Sequence, residues 1–389
     1  MAPGRSSGWT KQIAGASGHS NRINRMGWLE QEWEANIVRK AHNLRLAKFV
    51  FSSFVRFFAI CLCGWLVMLG LSSDLLAVSE PANTVGPNAC AECHKQEAEA
   101  WKGTNHFSTF KDMPRNAEGK KIAAKMGIKR VKNEPLCLNC HFTVQAKGNK
   151  EEPVAGISCE SCHSGGKDWI KLHSSYSGKT ATTESKGEAA ERWKQSDSKG
   201  MIRPGSLYRL ARNCYGCHVV PQESLVNKGG HKAGSTFELV SWSQGEVRHN
   251  TWYNKGKENS AADAARKRML YLVGLGVELE TGLRAVGSST ARQRYAFEMA
   301  RRVDSARRKL SAAAKAAPEV PEIAKLVEFA YSASLSLNNA AALTGAADGV
   351  SKLLVSISEK YDGSTMAGLD GLMPAPDKYK GKARTPVAQ

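Results

Sequence analysis

The chain has 389 residues, of which 42% are hydrophobic, so it is long enough to bury a core and to form one to three domains. Its formal net charge of +19 favours acidic partners. No nucleic-acid-binding motif accompanies this charge, so nucleic acid is excluded as the expected partner. We expect an acidic protein surface instead.

An apolar run at residues 57–71 follows a basic segment and precedes the small residues of 77–79. This layout is typical of a signal peptide. Residues 1–79 are therefore interpreted as a basic N-terminal region with a signal for the secretory route, and we expect the protein in the periplasm or at the outer face of the cytoplasmic membrane. The run is shorter than the roughly 20 residues of a membrane-spanning helix, and an uncleaved membrane anchor is the alternative. Cys61 and Cys63 lie within the run and are expected to fill apolar space.

Residues 80–254 hold the other eight cysteines but show little helical periodicity of apolar residues. Short helices are predicted at 91–102, 119–127 and 186–195. This segment has too few periodic apolar side chains to build an ordinary core, so another component must fill its interior.

Residues 255–374 contain no Cys and no His and are rich in Ala. Apolar residues recur at steps of three and four, for example from Tyr295 to Leu310, which predicts amphipathic helices. The predicted helices span 262–284, 291–313, 321–344 and 349–360, with breaks at Pro-rich and Gly-rich stretches. The predicted fold class is mainly α with much irregular structure, including a C-terminal α-helical bundle. Residues 375–389 are predicted to form a disordered tail.

One motif occurs four times, as CAECH, CLNCH, CESCH and CYGCH. Two thiols at this spacing can bond to the vinyl groups of one porphyrin, and the next histidine can bind the iron from the proximal side. The cysteines are Cys90, Cys93, Cys137, Cys140, Cys159, Cys162, Cys214 and Cys217, and the histidines are His94, His141, His163 and His218. The motifs predict four covalently attached haem c groups with their iron, and a multihaem cytochrome domain at 80–254 that wraps around them.

Two other kinds of site share part of this pattern. The stretch from Cys137 to Cys162 has the spacing of a zinc ribbon, but zinc does not account for a histidine after every cysteine pair. A thiol redox pair would need a βαβ context, which the sequence does not show.

Four further histidines lie in the same region: His106, His173, His231 and His249. Eight histidines are the number that four bis-histidine haems would use, so these four are predicted to be distal ligands. The alternative axial donors are Met113, Met126 and Met201.

The motif region resembles the tetrahaem cytochrome c-554 family, which is linked to hydroxylamine oxidation. The resemblance covers roughly residues 86–254. It rests on the stretches CAECHKQEAEAWKGTNHFSTF and AGISCESCHSGG, and on HKAGS and GEVRHN after the fourth motif.

The resemblance implies a distal ligand for most of the haems. His106 would serve the haem on Cys159 and Cys162, and His173 the haem on Cys214 and Cys217. One of His249 and His231, with His249 preferred, would serve the haem on Cys90 and Cys93. The resemblance also implies that the haem on Cys137 and Cys140 can be five-coordinate and open, although the remaining histidine is available as its sixth ligand.

The expected function is electron transfer between redox partners through closely spaced, mostly bis-histidine haems. The alternative is an enzyme that acts on a small nitrogen compound, nitric oxide or hydroxylamine, at one five-coordinate haem. The C-terminal helices are expected to shield haem edges from water, and a partner-binding module is the alternative. Gly165 and Gly166 are expected to leave room for a neighbouring haem.

Overall fold

The computed structural model describes residues 80–386. The expected signal peptide, its possible role as an anchor, and Cys61 and Cys63 lie outside the described residues. So do the last three residues of the chain.

The first part of the described chain consists of short helices joined by irregular segments. In chain order they are α1 (Pro87–Ala91), α2 (Lys95–Lys102), α3 (Asn105–Asp112), α4 (Ala117–Met126), α5 (Pro135–His141), α6 (Cys159–His163), α7 (Ile170–His173) and α8 (Lys186–Ser198). Short 3-10 turns lie at Pro81–Asn83, Met113–Arg115, Val131–Asn133 and Tyr176–Gly178. An antiparallel hairpin, β1 (Thr143–Lys147) and β2 (Lys150–Ala155), separates the second motif from the third. The hairpin was not predicted.

The second part is dominated by longer helices. It contains α9 (Leu207–His218), α10 (Glu223–Asn227), α11 (Leu239–Ser243), α12 (Ala264–Ser288), α13 (Arg294–Ala316), α14 (Pro321–Tyr331) and α15 (Ala340–Lys360), followed by 3-10 turns at Ala367–Leu372 and Pro376–Lys378. The prediction of a mainly α fold is confirmed for the described residues. The long helices α12 and α13 match the predicted helices at 262–284 and 291–313 closely.

The boundary between the last two predicted helices is wrong. The break lies at 332–339, where Asn338 has a left-handed φ of +63°, and not at the Gly-rich stretch 345–349. That stretch is helical, and Gly349 is a packing position within it. A Cβ atom at residue 349 would lie 2.3 Å from the ring of Phe329, so the glycine lets α14 and α15 approach closely.

A single large apolar core joins α9 to the C-terminal helices. Its fully buried members include Leu207 of α9, Leu283 of α12, Leu310 of α13 and Leu354 of α15. The core therefore contains residues from both sides of the predicted domain boundary at 254/255. Helix α15 has the length and hydropathy of a membrane span, but its buried residues belong to this core.

The first part of the chain has a much smaller apolar cluster. Leu138, Phe142 and Val144 are buried together, and Phe110 and Met113 pack against them. This sparse burial agrees with the prediction that apolar side chains alone do not fill this region.

The C-terminal tail is ordered up to Pro386, so the prediction of a disordered tail is wrong for residues 375–386. The backbone of Lys380 accepts a hydrogen bond from the backbone N–H of Glu246 (2.8 Å) and donates one to the carbonyl of Ser241 (2.9 Å). The Arg384 guanidinium donates to the carbonyl of Glu99 (2.6 Å). These bonds hold the tail against the motif region. Such long-range contacts cannot be predicted from the composition of the tail.

Candidate functional site

The cysteine motifs lie at or near the ends of short helices. Helices α5, α6 and α9 each end on the histidine of a motif, whereas the first motif begins in α1 and turns into α2 at His94. Residues three apart share one face of a helix, so the two thiols of the second, third and fourth motifs point the same way and the histidine follows them.

The eight histidines come together as four facing pairs. The ring centroids are 6.3 Å apart in His94–His173, 6.2 Å in His106–His218, 6.3 Å in His141–His231 and 6.2 Å in His163–His249. Each pair joins one motif histidine to one histidine from outside the motifs. The structure therefore gives every motif its own second imidazole.

The spacing of the pairs suits one metal ion between two imidazoles. A metal–imidazole bond is about 2 Å long, so two such bonds and the radii of two rings add up to roughly the observed separation. Within residues 80–386, no group of three or more His, Cys, Asp and Glu side chains is arranged to hold a metal ion. The arrangement thus matches two axial ligands of a metal whose remaining ligands come from a prosthetic group, as in haem.

Hydrogen bonds at Nδ1 orient most of these imidazoles. The Nδ1 atoms of five rings lie 2.6–2.9 Å from an oxygen, in the pairs His163–Ile202 O, His173–Ile170 O, His231–Lys232 O, His249–Val247 O and His218–Ser235 Oγ. Because a carbonyl can only accept, Nδ1 carries the proton in the first four. The lone pair is then on Nε2, which is the tautomer that a metal-bound histidine needs.

Burial keeps several of the imidazoles neutral. It lowers the pKa of His141, His163 and His218 to about 4, and it also lowers the pKa of His106 and His173. A neutral imidazole is the form that binds a metal, so these rings are available as ligands at neutral pH.

The thiols of different motifs meet in two places. Cys90 contacts Cys159, and Cys140 contacts Cys217 through a hydrogen bond. Helix α6 also packs against both α1 and α9, and α9 packs against α5. The motifs are therefore neighbours in the order first, third, fourth, second. None of the eight motif cysteines forms a disulfide.

A cavity of about 1170 Å³ lies among the second, third and fourth motifs. It is lined by their histidines, by all of their cysteines except Cys159, and by the second histidines of three pairs, His106, His231 and His249. Its walls also include apolar side chains such as Ile122 and Phe237. Such a lining fits a large planar group that has apolar faces and a metal ion at its centre.

The histidine pairs differ from those that the family resemblance implies. The structure brings His106 to the fourth motif instead of the third, His173 to the first instead of the fourth, and His249 to the third instead of the first. His173 is held in place by Arg192, which donates to its carbonyl and forms a buried ion pair with Glu184 (2.6 Å). Such long-range contacts decide which ring meets which motif, and spacing along the chain does not reveal them.

Glu160, inside the third motif, has a structural role that sequence reasoning missed. It is fully buried, and its carboxylate accepts backbone hydrogen bonds from Val85, Gly86 and Gly166 at 2.7–2.8 Å. The expectation that Gly165 and Gly166 leave room for a haem is wrong. A Cβ at 165 would lie 2.8 Å from the carbonyl oxygen of Asn83, so the glycine accommodates the backbone of residues 83–85.

The comparisons with known proteins concern this motif region. Residues 89–164 match the sequence model of the family described as cytochrome c554 and c-prime. Cytochrome c-554 of Nitrosomonas europaea is 28% identical over 159 residues, which are 38% of this chain and 62% of that protein. This part of the chain is similar to the cytochrome c-554 family. The matched part spans less than two thirds of the length of this cytochrome c-554, and no solved structure matches the chain.

The relationship to cytochrome c-554 agrees with the resemblance inferred from the motifs. A c-type cytochrome holds its haem covalently through CxxCH cysteines. The motifs and this similarity together point to covalently bound haem c.

Proposed function

We propose that the protein is an exported tetrahaem c-type cytochrome that carries electrons between redox partners, with every iron bound by two histidines. The cysteines of each CxxCH motif would hold one haem, and the four facing histidine pairs would supply its two axial ligands. Haem c supplies a one-electron iron couple whose potential depends on its ligands and surroundings. The single observation that carries the proposal is that each motif histidine faces a second imidazole at 6.2–6.3 Å.

The second histidine of each pair supports electron transfer over catalysis. An enzyme acting on nitric oxide or hydroxylamine would need an open coordination position. His231 faces His141 of the second motif, the position at which the family resemblance implies an open iron. With His231 as ligand, the protein offers a small molecule no free position at that motif.

The neighbour order of the motifs supports a continuous path. Contacts between α1 and α6, between α6 and α9, and between α9 and α5 link all four motifs in one row. We infer that the first and second motifs form the two ends of the path, and that the third and fourth lie between them.

The first motif is the more exposed of the two ends. Cys93 is exposed, whereas Cys137 of the second motif is buried. The side chain of His94 is 36% exposed, and its ring contacts the exposed Trp252 at 4.4 Å. We propose that a redox partner docks at this end. Residues 80–389 contain 46 Lys and Arg against 32 Asp and Glu, so an acidic partner surface is favoured.

The proposed location is the periplasm or the outer face of the cytoplasmic membrane, reached by the secretory route. The support is the apolar run at 57–71 with its basic flank, together with the chemistry of the motifs. If the run is retained, it would anchor the protein in the membrane.

The haem count is tested by mass spectrometry of the denatured protein, because covalent haem stays on the chain. The proposal expects four haem masses for the natural sequence and three for a Cys137→Ser/Cys140→Ser variant. A Cys61→Ser/Cys63→Ser variant is the matched control and keeps four. Fewer than four haems on the natural chain would contradict the proposal.

A further inference from the structure

The imidazole of the fourth motif is oriented by a side chain, unlike most of the other histidines. Nδ1 of His218 lies 2.9 Å from the hydroxyl of Ser235, whereas His163, His173, His231 and His249 use backbone carbonyls. The backbone of Ser235 also donates to the carbonyl of His218 (3.1 Å). Ser235 and His218 are thus fixed to each other at two points.

The C-terminal helices hold Ser235 in this position. Arg302 of α13 donates through Nη2 to the carbonyl of Ser235 (2.7 Å) and through Nη1 to the carboxylate of Glu278 of α12 (2.9 Å). The side chains of Arg302 and Glu278 are only 14% and 10% exposed. Burial weakens the screening of charges by solvent. The charges of Arg302 and Glu278 therefore act more strongly on neighbouring groups than exposed charges would.

Gly234 allows the guanidinium to come this close. A Cβ at residue 234 would lie 2.9 Å from Nη2 of Arg302 and 2.5 Å from the carbonyl oxygen of His218. Any larger residue would push the arginine and the motif histidine apart. The position of Arg302 therefore depends on a local backbone arrangement as well as on its ion pair.

We propose that Glu278 and Arg302 are positioning residues that set the reduction potential of the fourth haem through Ser235 and His218. The inference rests on the proposed function. It assigns the C-terminal helices a role beyond shielding. The ion pair between Glu278 of α12 and Arg302 of α13 contacts Ser235, which in turn contacts His218 of the fourth motif.

The direction of each effect follows from charge. With Nε2 bound to iron, Nδ1 of His218 donates to Ser235, and this hydrogen bond raises the basicity of the ligand. A more basic ligand stabilises the oxidised iron and lowers the potential. The Arg302 charge favours the reduced iron, and the Glu278 carboxylate offsets it. Burial raises the pKa of Glu278, and Arg302 opposes that rise.

The test is a redox titration of the four-haem protein, followed by electron paramagnetic resonance, on single and double variants. Ser235→Ala and Glu278→Gln should each raise the reduction potential of one haem, and it should be the same haem in both variants. Glu278→Gln/Arg302→Gln should return that couple towards its natural value, because the charges are again balanced. Arg301→Gln and Glu298→Gln are the matched controls, since this pair lies on α13 and the Arg301 side chain is 74% exposed. Neither control should move any couple.

Three results would overturn the inference. They are that no couple moves, that all four move together, or that Ser235→Ala and Glu278→Gln move different couples. A purely structural role would lower the thermal unfolding temperature in the variants while leaving the potentials unchanged. Failure of the proposed function itself would show separately, as fewer than four haems or as a missing low-spin signal in the natural protein.

Discussion

The two parts of the described chain obtain their interiors in different ways. Residues 207–369 bury a continuous apolar core in which Leu, Val, Ala and Tyr side chains from seven helices interlock. Residues 80–206 have one small apolar cluster of three buried residues, and they carry three of the four CxxCH motifs. The contrast teaches that apolar side chains fill the second interior but not the first, and the proposed haems would supply the rest of the first.

Helix α9 belongs to both parts. Leu207, Ala211 and Tyr215 on one of its faces are buried in the apolar core, while Cys214, Cys217 and His218 line the cavity. The fourth motif is therefore the point at which the two kinds of interior meet, and the Ser235–Arg302–Glu278 contacts lie at the same junction.

The largest expected effect comes from preventing haem attachment. If all eight motif cysteines are replaced by Ser, residues 80–206 should lose their fold, because too little apolar area remains to offset the conformational entropy of the chain. The helices at 264–360 should keep theirs. Hydrogen exchange followed by mass spectrometry would show lost protection at 87–198 and retained protection at 264–360. Equal protection of 87–198 with and without haem would remove the distinction between the two parts.

Glu160→Ala should destabilise the first part strongly. The substitution leaves the backbone N–H groups of Val85, Gly86 and Gly166 without their acceptor. Each buried group left unpaired costs about 1–3 kcal/mol. Chemical denaturation followed by haem absorbance measures the loss. Glu92→Ala is the matched control, because Glu92 lies inside the first motif and is exposed. An equal, small effect of both variants would contradict the role assigned to Glu160.

Leu283→Ala tests the apolar core of the second part. Leu283 is fully buried in α12, and removal of a buried Leu side chain costs about 2–5 kcal/mol. The loss should appear in helix unfolding measured by circular dichroism, while the haem spectra stay unchanged. Leu372→Ala, at a position that is 36% exposed, is the control and should cost far less. Altered haem spectra in Leu283→Ala would mean that the two interiors are not separate.

The smallest effect concerns acid stability of the helical part. Lys360 and Tyr361 bind the carboxylate of Glu322, and Lys360 is the largest cause that lowers the pKa of Glu322 to about 2 from an ordinary 4.5. A lowered pKa stabilises the folded state above the ordinary value, and this stability is lost as the pH falls through the lower one. The difference in unfolding temperature between the natural protein and Glu322→Gln should therefore be present at neutral pH and fade between pH 4.5 and about 2. A difference that persists at the lowest pH would contradict this assignment, and Glu359→Gln, an exposed neighbour of Lys360, serves as control.

The sequence predicts the chemistry of this protein better than its geometry. CxxCH is a local pattern, so its twelve cysteines and histidines could be found without a structure, and the four other histidines were found because they lie in the same region. The helical periodicity of 264–316 is equally local. Which histidine faces which motif depends on long-range contacts such as Arg192 to His173. The roles proposed for Arg302 and found for Glu160 also depend on long-range contacts. In a basic chain, charged residues are expected at the surface unless a structure shows that they are buried. The helix break at 332–339 was missed because Gly349 is a contact with Phe329 and not a terminator.

The central claim is that all four irons have two histidine ligands, and electron paramagnetic resonance of the oxidised protein tests it most directly. We predict four low-spin haems per chain and no reaction with nitric oxide or cyanide. A His231→Ala variant should convert one haem to a high-spin form that binds these ligands, because His231 faces His141 at 6.3 Å, while Lys232→Ala should leave all four low-spin. A high-spin, five-coordinate signal in the natural protein, with binding of nitric oxide or cyanide, would contradict the account and favour the enzyme.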